Sequence, residues 1–508
     1  MATNIRIVNV GFSFSAAPVL DAEQRYQQAR QLHMQGDTLT ARSLYQSVLR
    51  ERPDHARAPH QLGITYLQTG DLREAQDCIT RSLAADPASA VTYNSLGALF
   101  YGRKSFADAL SCYDRAIDLD PDFAEAHVNR GNAFKALGDR QQALHDYDRA
   151  LQLKPSLAAA HANRANALHE LGRFPEALAA YDRALALDPR DAEAQFGRAS
   201  TLLLLGDFAR GLEGYEWRTR LPSGPARTPR PELPALTPQV PLLGKRVLVH
   251  WEQGLGDTIQ FCRYLRLLSD IGARVFFSPQ PALRALMSRL DAFATLVDDG
   301  DPTGAYDLRL GLLSAMRWHG TRLDSIPRSV PYLTPDPQRL LRWRNHLGSA
   351  GFRIAVCWQG DNPALGRSFD VTDLRPLAAI PGVRLIAVQK GLTREQLEAV
   401  PGKLAIEHLG DDFDAGPDAF LDAAAVIAAS DLVVTCDTAI AHLAGALGAR
   451  TFVALKAVPD WRWQLQRGDS PWYPTMRLFR QPRRGDWTSV IAAMATALAP
   501  LLPPPSVA

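Results

Sequence analysis

The 34 residues Ala124–Leu157, AEAHVNRGNAFKALGDRQQALHDYDRALQLKPSL, decide how the first two fifths of the chain fold. Val128, Ala133, Phe134 and Leu137 recur at helical spacing and predict one apolar face. Gly138-Asp139 should end that helix, because glycine tolerates the positive φ of a helix C-cap. Ala143, Leu144, Tyr147 and Ala150 predict a second face, whose small residues let two helices approach closely. Pro155 stops the second helix. The same columns recur at 34-residue intervals on either side. One holds Pro53, Pro87, Pro121, Pro155 and Pro189. Another holds Gly36, Gly70, Gly138 and Gly172, broken at Arg103–Lys104. A third holds Ala41, Ala75, Ala109, Ala143 and Ala177. The fourth holds Tyr45, Tyr113, Tyr147 and Tyr181, with Ile79 in the gap. Five full units and a partial sixth, with Gly206 and Tyr215 in register, are expected over 22–220.

The period resembles the tetratricopeptide (TPR) repeat, a helix–turn–helix unit of this length. Such units stack into a superhelix with a concave groove. Candidate groove residues are the amides Asn129 and Asn163 in one column and Asn132 and Asn166 in another. Gln61 sits in the first column, and Asn94 lies one place off. Side-chain amides donate and accept, which suits an extended peptide backbone in an acceptor protein. The competing reading is that they are merely solvated. Residues 1–220 carry a net charge of −2, the wrong sign for a repeat array that reads RNA.

Composition narrows the rest. The 508 residues are 46% apolar and 22% charged, with a net charge of +2. That is globular, and it gives no basic face for nucleic acid. Five cysteines without a CxxC pair suggest neither a disulfide framework nor a zinc site, and fit a cytoplasmic location. No apolar run reaches the length of a membrane span. Residues 1–21 read as an N-terminal extension. Asn9 and Ser13 interrupt the apolar Ile5–Leu20, so a cleaved leader is not expected.

Seven prolines between Leu221 and Leu243 predict a stiff linker over 221–243. Beyond it, short apolar runs alternate with helices. Strands are expected at Arg246–His250, Arg274–Ser278, Arg353–Trp358, Arg384–Val388, Leu432–Thr435 and Thr451–Leu455. Helices are expected at Thr258–Leu268, Pro281–Leu290, Val371–Ala379, Ala419–Ala429 and Asp437–Leu447. This alternation predicts parallel sheets covered by helices, in two Rossmann-like halves at 244–345 and 346–508 facing a cleft. Ligands then sit beyond the carboxyl ends of the strands.

Four loops fall at those ends. Glu252-Gln253-Gly254-Leu255-Gly256-Asp257 follows the first strand. Either carboxylate there suits a general base on an acceptor hydroxyl, although an aspartate opening a helix is also an ordinary cap. Trp358-Gln359-Gly360-Asp361-Asn362, Arg367 and Gln389-Lys390-Gly391 place two cations beside one sheet edge, suited to a phosphate leaving group. Asp437, Thr438, Ala439 and His442 open a helix whose N-terminus suits a diphosphate. Asp460-Trp461-Arg462-Trp463 and Trp472-Tyr473 read equally as a stacking loop or a core aromatic cluster. The Asp411–Asp414 run reads as a solvated loop, not a metal motif.

EQGLGDTIQFCRY at 252–264, VCWQGDNPALGRSF at 356–369, CDTAIAHLAGALGA at 436–449 and PDWRWQLQRGDSPWYPTMRLFRQ at 459–481 resemble bacterial TPR-linked glycosyltransferases. Their catalytic part is similar to the heptosyltransferases, glycosyltransferase family 9. The resemblance implies a GT-B fold and a nucleotide-sugar donor, with no metal and no further cofactor. It implies Asp257 as base and Asp437, Thr438, Ala439 and His442 on the donor diphosphate, Ala439 replacing the usual glycine. Arg367 matches the family's basic residue after the first strand of the second half. Similar proteins include enzymes that glycosylate flagellin, with the repeats recognising the acceptor.

The resulting expectation is a cytoplasmic, metal-independent glycosyltransferase acting on a protein held by the TPR groove. Asp257 is its base. Trp358, Gln359, Arg367, Lys390, Asp437, Thr438, Ala439, His442, Asp460 and Trp461 face the donor. Glu252, Gln253, Gly254 and Gly256 line the cleft loop. The rivals are a non-catalytic scaffold with a transferase-like binding module, and a transferase acting on a surface glycan.

Overall fold

The computed structural model describes residues 20–222, 224, 230–238, 240–298, 301, 304–360, 366–390, 393–400, 402 and 404–503. Most of the N-terminal extension, part of the proline-rich segment, and Asp361, Asn362 and Gly391 therefore lie outside the described residues. The chain forms two compact units, Met1–Leu171 and Gly172–Ala508.

The first unit is helical. Its helices are α1 (Ala22–Met34), α2 (Thr38–Glu51), α3 (Ala58–Thr69), α4 (Leu72–Ala85), α5 (Ala90–Gly102), α6 (Phe106–Leu119), α7 (Ala124–Ala136), α8 (Arg140–Leu153) and α9 (Ala158–Glu170). The turn glycines Gly36, Gly70 and Gly138 have φ of +87°, +80° and +89°. The gap in their column is filled by Lys104 at φ 61°, a left-handed conformation that its Cβ makes unfavourable. Ala143, Tyr147 and Ala150 are fully buried, as the second face requires. Leu137 departs from the first face: it caps α7 and is 53% exposed. A Cβ on Gly131 would lie 2.7 Å from the Tyr147 ring, so that glycine sets how closely α7 and α8 approach.

The second unit begins with the last repeats, α10 (Phe174–Leu187), α11 (Ala192–Leu204) and α12 (Phe208–Tyr215). Strand β1 (Arg246–His250) leads into α13 (Leu255–Phe261) and α14 (Arg263–Asp270). Then come β2 (Arg274–Ser278), α15 (Arg284–Met287), β3 (Thr295–Leu296), β4 (Leu308–Gly311), α16 (Ala315–Trp318) and α17 (Pro337–Leu347). The second half has β5 (Phe352–Cys357), α18 (Arg375–Ala378), β6 (Val383–Ala387), α19 (Thr393–Glu398), β7 (Ile406–Glu407) and α20 (Leu421–Ala428). It continues with β8 (Leu432–Cys436), α21 (Ala439–Ala446), β9 (Thr451–Leu455), β10 (Met476–Arg480) and α22 (Trp487–Leu498). Every pairing between these strands is parallel. The sheets run β3-β2-β1-β4 and β10-β9-β8-β5-β6-β7. The second is the doubly wound order, with its reversal between β5 and β8; the first reverses between β1 and β4.

Two features join the last repeats to this α/β body. One hydrophobic core contains Phe208, Leu212 and Tyr215 of α12 together with Val247, Ile259, Leu310, Ala441 and Trp461. Just after α12, the guanidinium of Arg218 is fully buried. Its Nη2 donates to both Glu252 oxygens at 2.9 Å and to Ser314 Oγ at 2.6 Å, and its Nη1 donates to Glu216 at 2.7 Å. The proline-rich segment is more than a connector. The backbones of Pro234–Leu236 and Arg309 exchange hydrogen bonds beside β4, and Leu236 and Leu242 are buried. Prolines suit such an edge because its outer side needs no donor.

Candidate functional site

Open parallel sheets bind ligands beyond the carboxyl ends of strands where the strand order reverses. The loop after β1 and the loops after β5 and β8 occupy such points. Helices α13 and α21 pack against each other there. A Cβ on Gly256 would lie 3.0 Å from His442 Cδ2 and 3.2 Å from Ala439 Cα. The glycine thus lets α13 and α21 approach this closely, since a methyl there would make His442 or Ala439 give by a few tenths of an ångström.

Asp257 does not open its helix. Gly254 is the N-cap, and Asp257 sits three residues on, its Oδ2 accepting the Gly254 N–H at 3.0 Å. The other oxygen, Oδ1, accepts from Arg462 Nη2 at 2.5 Å. Arg462 comes from the other half, on the loop after β9. It also donates from Nη1 to Asp460 at 2.9 Å and from Nε to Gln260 at 2.9 Å. Burial raises the proton affinity of Asp257 and the Arg462 charge opposes it, with a net rise. Asp460 shows the reverse balance: burial opposes, but Arg462 holds its carboxyl below the usual range.

The α21 start is the second component. Thr438 is its N-cap; its side chain caps none of the first backbone amides, while its carbonyl accepts the Ala441 N–H at 3.0 Å. Asp437 precedes the cap. Burial and the neighbouring Asp460 charge push its carboxyl up to about 6, against the pull of Trp463, Arg367 and Arg462. His442 stacks on Trp463 with ring centroids 5.5 Å apart, and its Nδ1 meets the Tyr473 hydroxyl at 3.1 Å. Burial first, then the Arg462 charge, pulls His442 down to about 3, so its ring is neutral at pH 7. Around this point Gln260 Nε2 and Arg367 Nε are buried and make no hydrogen bond among the described residues, while the buried Trp463 N–H is drawn to the Asp437 carboxylate without reaching good hydrogen-bond geometry. Such donors favour an anionic ligand.

Several expected site residues are engaged elsewhere. Glu252 is buried on Arg218 and accepts the Leu313 N–H at 2.8 Å, so its carboxylate holds structure rather than serving as a base. Lys390 donates to the Asp414 carbonyl at 2.6 Å. Trp358 is a core residue of the second sheet, 2% exposed, its N–H on Gln396. Trp461 packs on Phe208 and Tyr215 of α12, so the aromatic loop is largely core. Asp460 caps the turn Trp461–Trp463 besides holding Arg462. Gln359 accepts from Gln396 at 2.6 Å, and the Gln253 carbonyl accepts from Gln280 at 2.9 Å. Asp414 departs from the solvated reading of its run: it is buried and accepts the Asp422 N–H at 2.7 Å.

Sequence reasoning missed Arg462 and Gln260. Arg462 lies between Trp461 and Trp463, and the aromatic pattern masks it. The signal that could have found it was chemical: a cation beside Asp460 at a strand's carboxyl end. In the first unit the groove amides are only half-buried. Asn129 donates to Asn94 at 2.9 Å, and Asn132 accepts from the Tyr147 hydroxyl at 2.7 Å. Asn163 is half-buried, and Asn166 is engaged as well. An open depression of about 540 Å³ lies at the opposite, amino edge of the second sheet, lined by Arg344, Ser349, Arg353 and Asp431 among others. It holds none of these groups. Among the described residues no cluster of His, Cys, Asp or Glu is arranged to hold a metal ion, and no helix is long and apolar enough to cross a membrane.

The N-terminal helices are tetratricopeptide repeats. Residues 32–98 and 124–157 match the tetratricopeptide repeat family, and residues 97–138 and 165–206 match the TPR repeat family. Among individual proteins, the chain is similar to Protein FlbA of Caulobacter vibrioides. The two are 29% identical over 285 residues, covering 51% of this chain and 47% of that protein. The match thus spans about half the length of that relative. Solved structures with similarity include a thermophilic TPR protein of Thermus thermophilus, with 26% identity, 36% of this chain, all of that chain and a TM-score of 0.33. PilF of Pseudomonas aeruginosa matches with 18% identity, 40% of this chain, 91% of that chain and a TM-score of 0.35.

Proposed function

We propose that this chain is a metal-independent glycosyltransferase whose repeats hold a protein acceptor, flagellin being the first candidate. One observation carries the reading. A carboxylate from the first half, Asp257, meets a helix start without a side-chain cap and buried donors from the second half, where both sheets reverse. In the reaction the acceptor hydroxyl gives its proton to Asp257, and its oxygen bonds to the anomeric carbon of the donor sugar. The bond from that carbon to the diphosphate breaks, and the diphosphate leaves with the electron pair. The α21 amides, Trp463, Gln260 and Arg367 receive its charge. The groove amides Asn94, Asn129, Asn132, Asn163 and Asn166 contact the acceptor backbone.

A specific observation favours the second reading, a scaffold with a transferase-like binding module. Both Asp257 oxygens are engaged, and Lys390 and Glu252 are held away from chemistry. Titration of the full chain with a panel of nucleotide sugars separates the two. The transferase reading expects one donor to bind and to release its free nucleoside diphosphate when acceptor is added. Failure of every donor to bind would leave the scaffold. A transferase acting on a surface glycan would release the nucleotide only with that glycan.

A further inference from the structure

We propose that Arg462 is a positioning residue that holds Asp257 idle until a diphosphate occupies the α21 helix start. The anion then takes the guanidinium and frees the carboxylate. This rests on the transferase reading above.

The geometry points to competition for one cation. Arg462 is a bridge between the halves: its Nη2 is on Asp257 at 2.5 Å while its Nη1 and backbone N–H are on Asp460 at 2.9 and 3.0 Å. Its side chain is 8% exposed and that of Asp257 is 20% exposed, so neither partner is well served by water. Oδ1 sits on the guanidinium and Oδ2 on the Gly254 N–H, so both oxygens are engaged and the Arg462 charge offsets part of the proton affinity that burial gives Asp257. A charged partner favours the carboxylate over the acid. Removing that partner makes the same group a stronger base without moving it.

The surrounding charges explain why an incoming anion would claim Arg462. Facing the pair are Glu252 on the loop after β1, Tyr215 on α12, Asp437 and His442 at α21, and Asp460 beside Arg462 itself. Arg367 is the second cation on the α21 side. His442 is neutral and Glu252 already has Arg218. Three aspartates therefore gather around Arg462 and Arg367 before any ligand arrives, while the third buried arginine whose charge reaches His442, Arg263, is held by the Pro327 and Trp472 carbonyls and the Tyr332 hydroxyl. A diphosphate adds at least two further negative charges, and Arg462 is the cation that reaches both α21's side and Asp257. Gln260, whose Nε2 makes no hydrogen bond among the described residues, flanks it, as does Trp463, whose N–H is drawn to Asp437. Trp463 already stacks on α21 through His442.

The test is a thermodynamic cycle on the full chain, with inorganic pyrophosphate as the probe in calorimetry without divalent metal. In the wild type, binding must pull Arg462 from Asp257. Asp257→Asn removes that competitor and should tighten pyrophosphate about tenfold. In an Arg462→Gln background the same change should do nothing, because the effect acts through the guanidinium. Simple repulsion between Asp257 and the anion would instead persist in that background and overturn the proposal. So would equal affinity of wild type and Asp257→Asn. If pyrophosphate binds neither wild type nor Asp257→Asn, the diphosphate site of the transferase reading fails and this inference with it. Binding without coupling overturns this inference alone. Arg462→Lys, which keeps the charge but loses the fork, supplies the background if the glutamine variant does not fold, and there the gain should shrink several-fold.

Discussion

Arg218→Met tests whether the last repeat is built into the α/β body. The substitution keeps an apolar side chain of similar reach but removes five donor contacts, two of them to Glu252 at 2.9 Å. The Arg218 side chain is fully buried and that of Glu252 is 3% exposed. Glu252 would then keep one strong partner, the Leu313 N–H. A buried charge stripped of its counter-charge costs about 3–5 kcal/mol. All nine tryptophans lie at or beyond residue 217, so their fluorescence reports the second unit alone. With a urea m-value of about 3 kcal/mol per molar or more, the fluorescence midpoint should fall by about 1 M. Adding Glu252→Gln to Arg218→Met neutralises the orphaned charge and should recover most of that loss. A midpoint that barely moves, or a double variant worse than the single, would refute the claim that this pair pins repeat to sheet.

Other outcomes follow from particular residues. Lys104 occupies the left-handed position that glycine holds in neighbouring repeats, so Lys104→Gly should stabilise the first unit by about 1 kcal/mol and Gly138→Ala destabilise it by about 1–2 kcal/mol, read from helical circular dichroism on heating. Gly131→Ala drives a methyl into the Tyr147 ring and should cost about 1–3 kcal/mol, seen as faster amide exchange in α7 and α8. Asp437, held up to about 6, binds its proton more tightly folded than unfolded, so its contribution weakens the fold as pH rises from about 4 to 6. Asp437→Asn should therefore raise the melting temperature at pH 8, with the gain fading below about pH 4.

The repeats were legible because each column answers a single geometric demand. A turn needs glycine, and a close helix crossing needs Gly131 or alanine opposite a tyrosine. Strands β1, β2 and β9 were legible as well, since buried parallel strands read as unbroken apolar runs. Strand β4 was missed because it is four residues long and carries Arg309 mid-strand. The helix expected over Thr258–Leu268 begins earlier, at Leu255, because Gly254 supplies the cap and Asp257 answers it from inside the helix. At the site, residue type and strand-end position singled out Asp257 and the α21 start. What they could not give was pairing. Only folding brings Arg462 to Asp257 and Arg218 to Glu252, and those two long-range pairs decide which of two neighbouring carboxylates is tied up in structure.

If Asp257 accepts a proton during sugar transfer to a protein, the product can be weighed. The experiment is intact-mass measurement of a candidate acceptor incubated with nucleotide sugars and the full chain. One donor should add the mass of one sugar with the wild type. Asp257→Asn, folded by tryptophan fluorescence, should lose that addition by at least about a hundredfold. An acceptor mass unchanged with every donor, or an addition that survives Asp257→Asn at the wild-type rate, would show that Asp257 does not play this part.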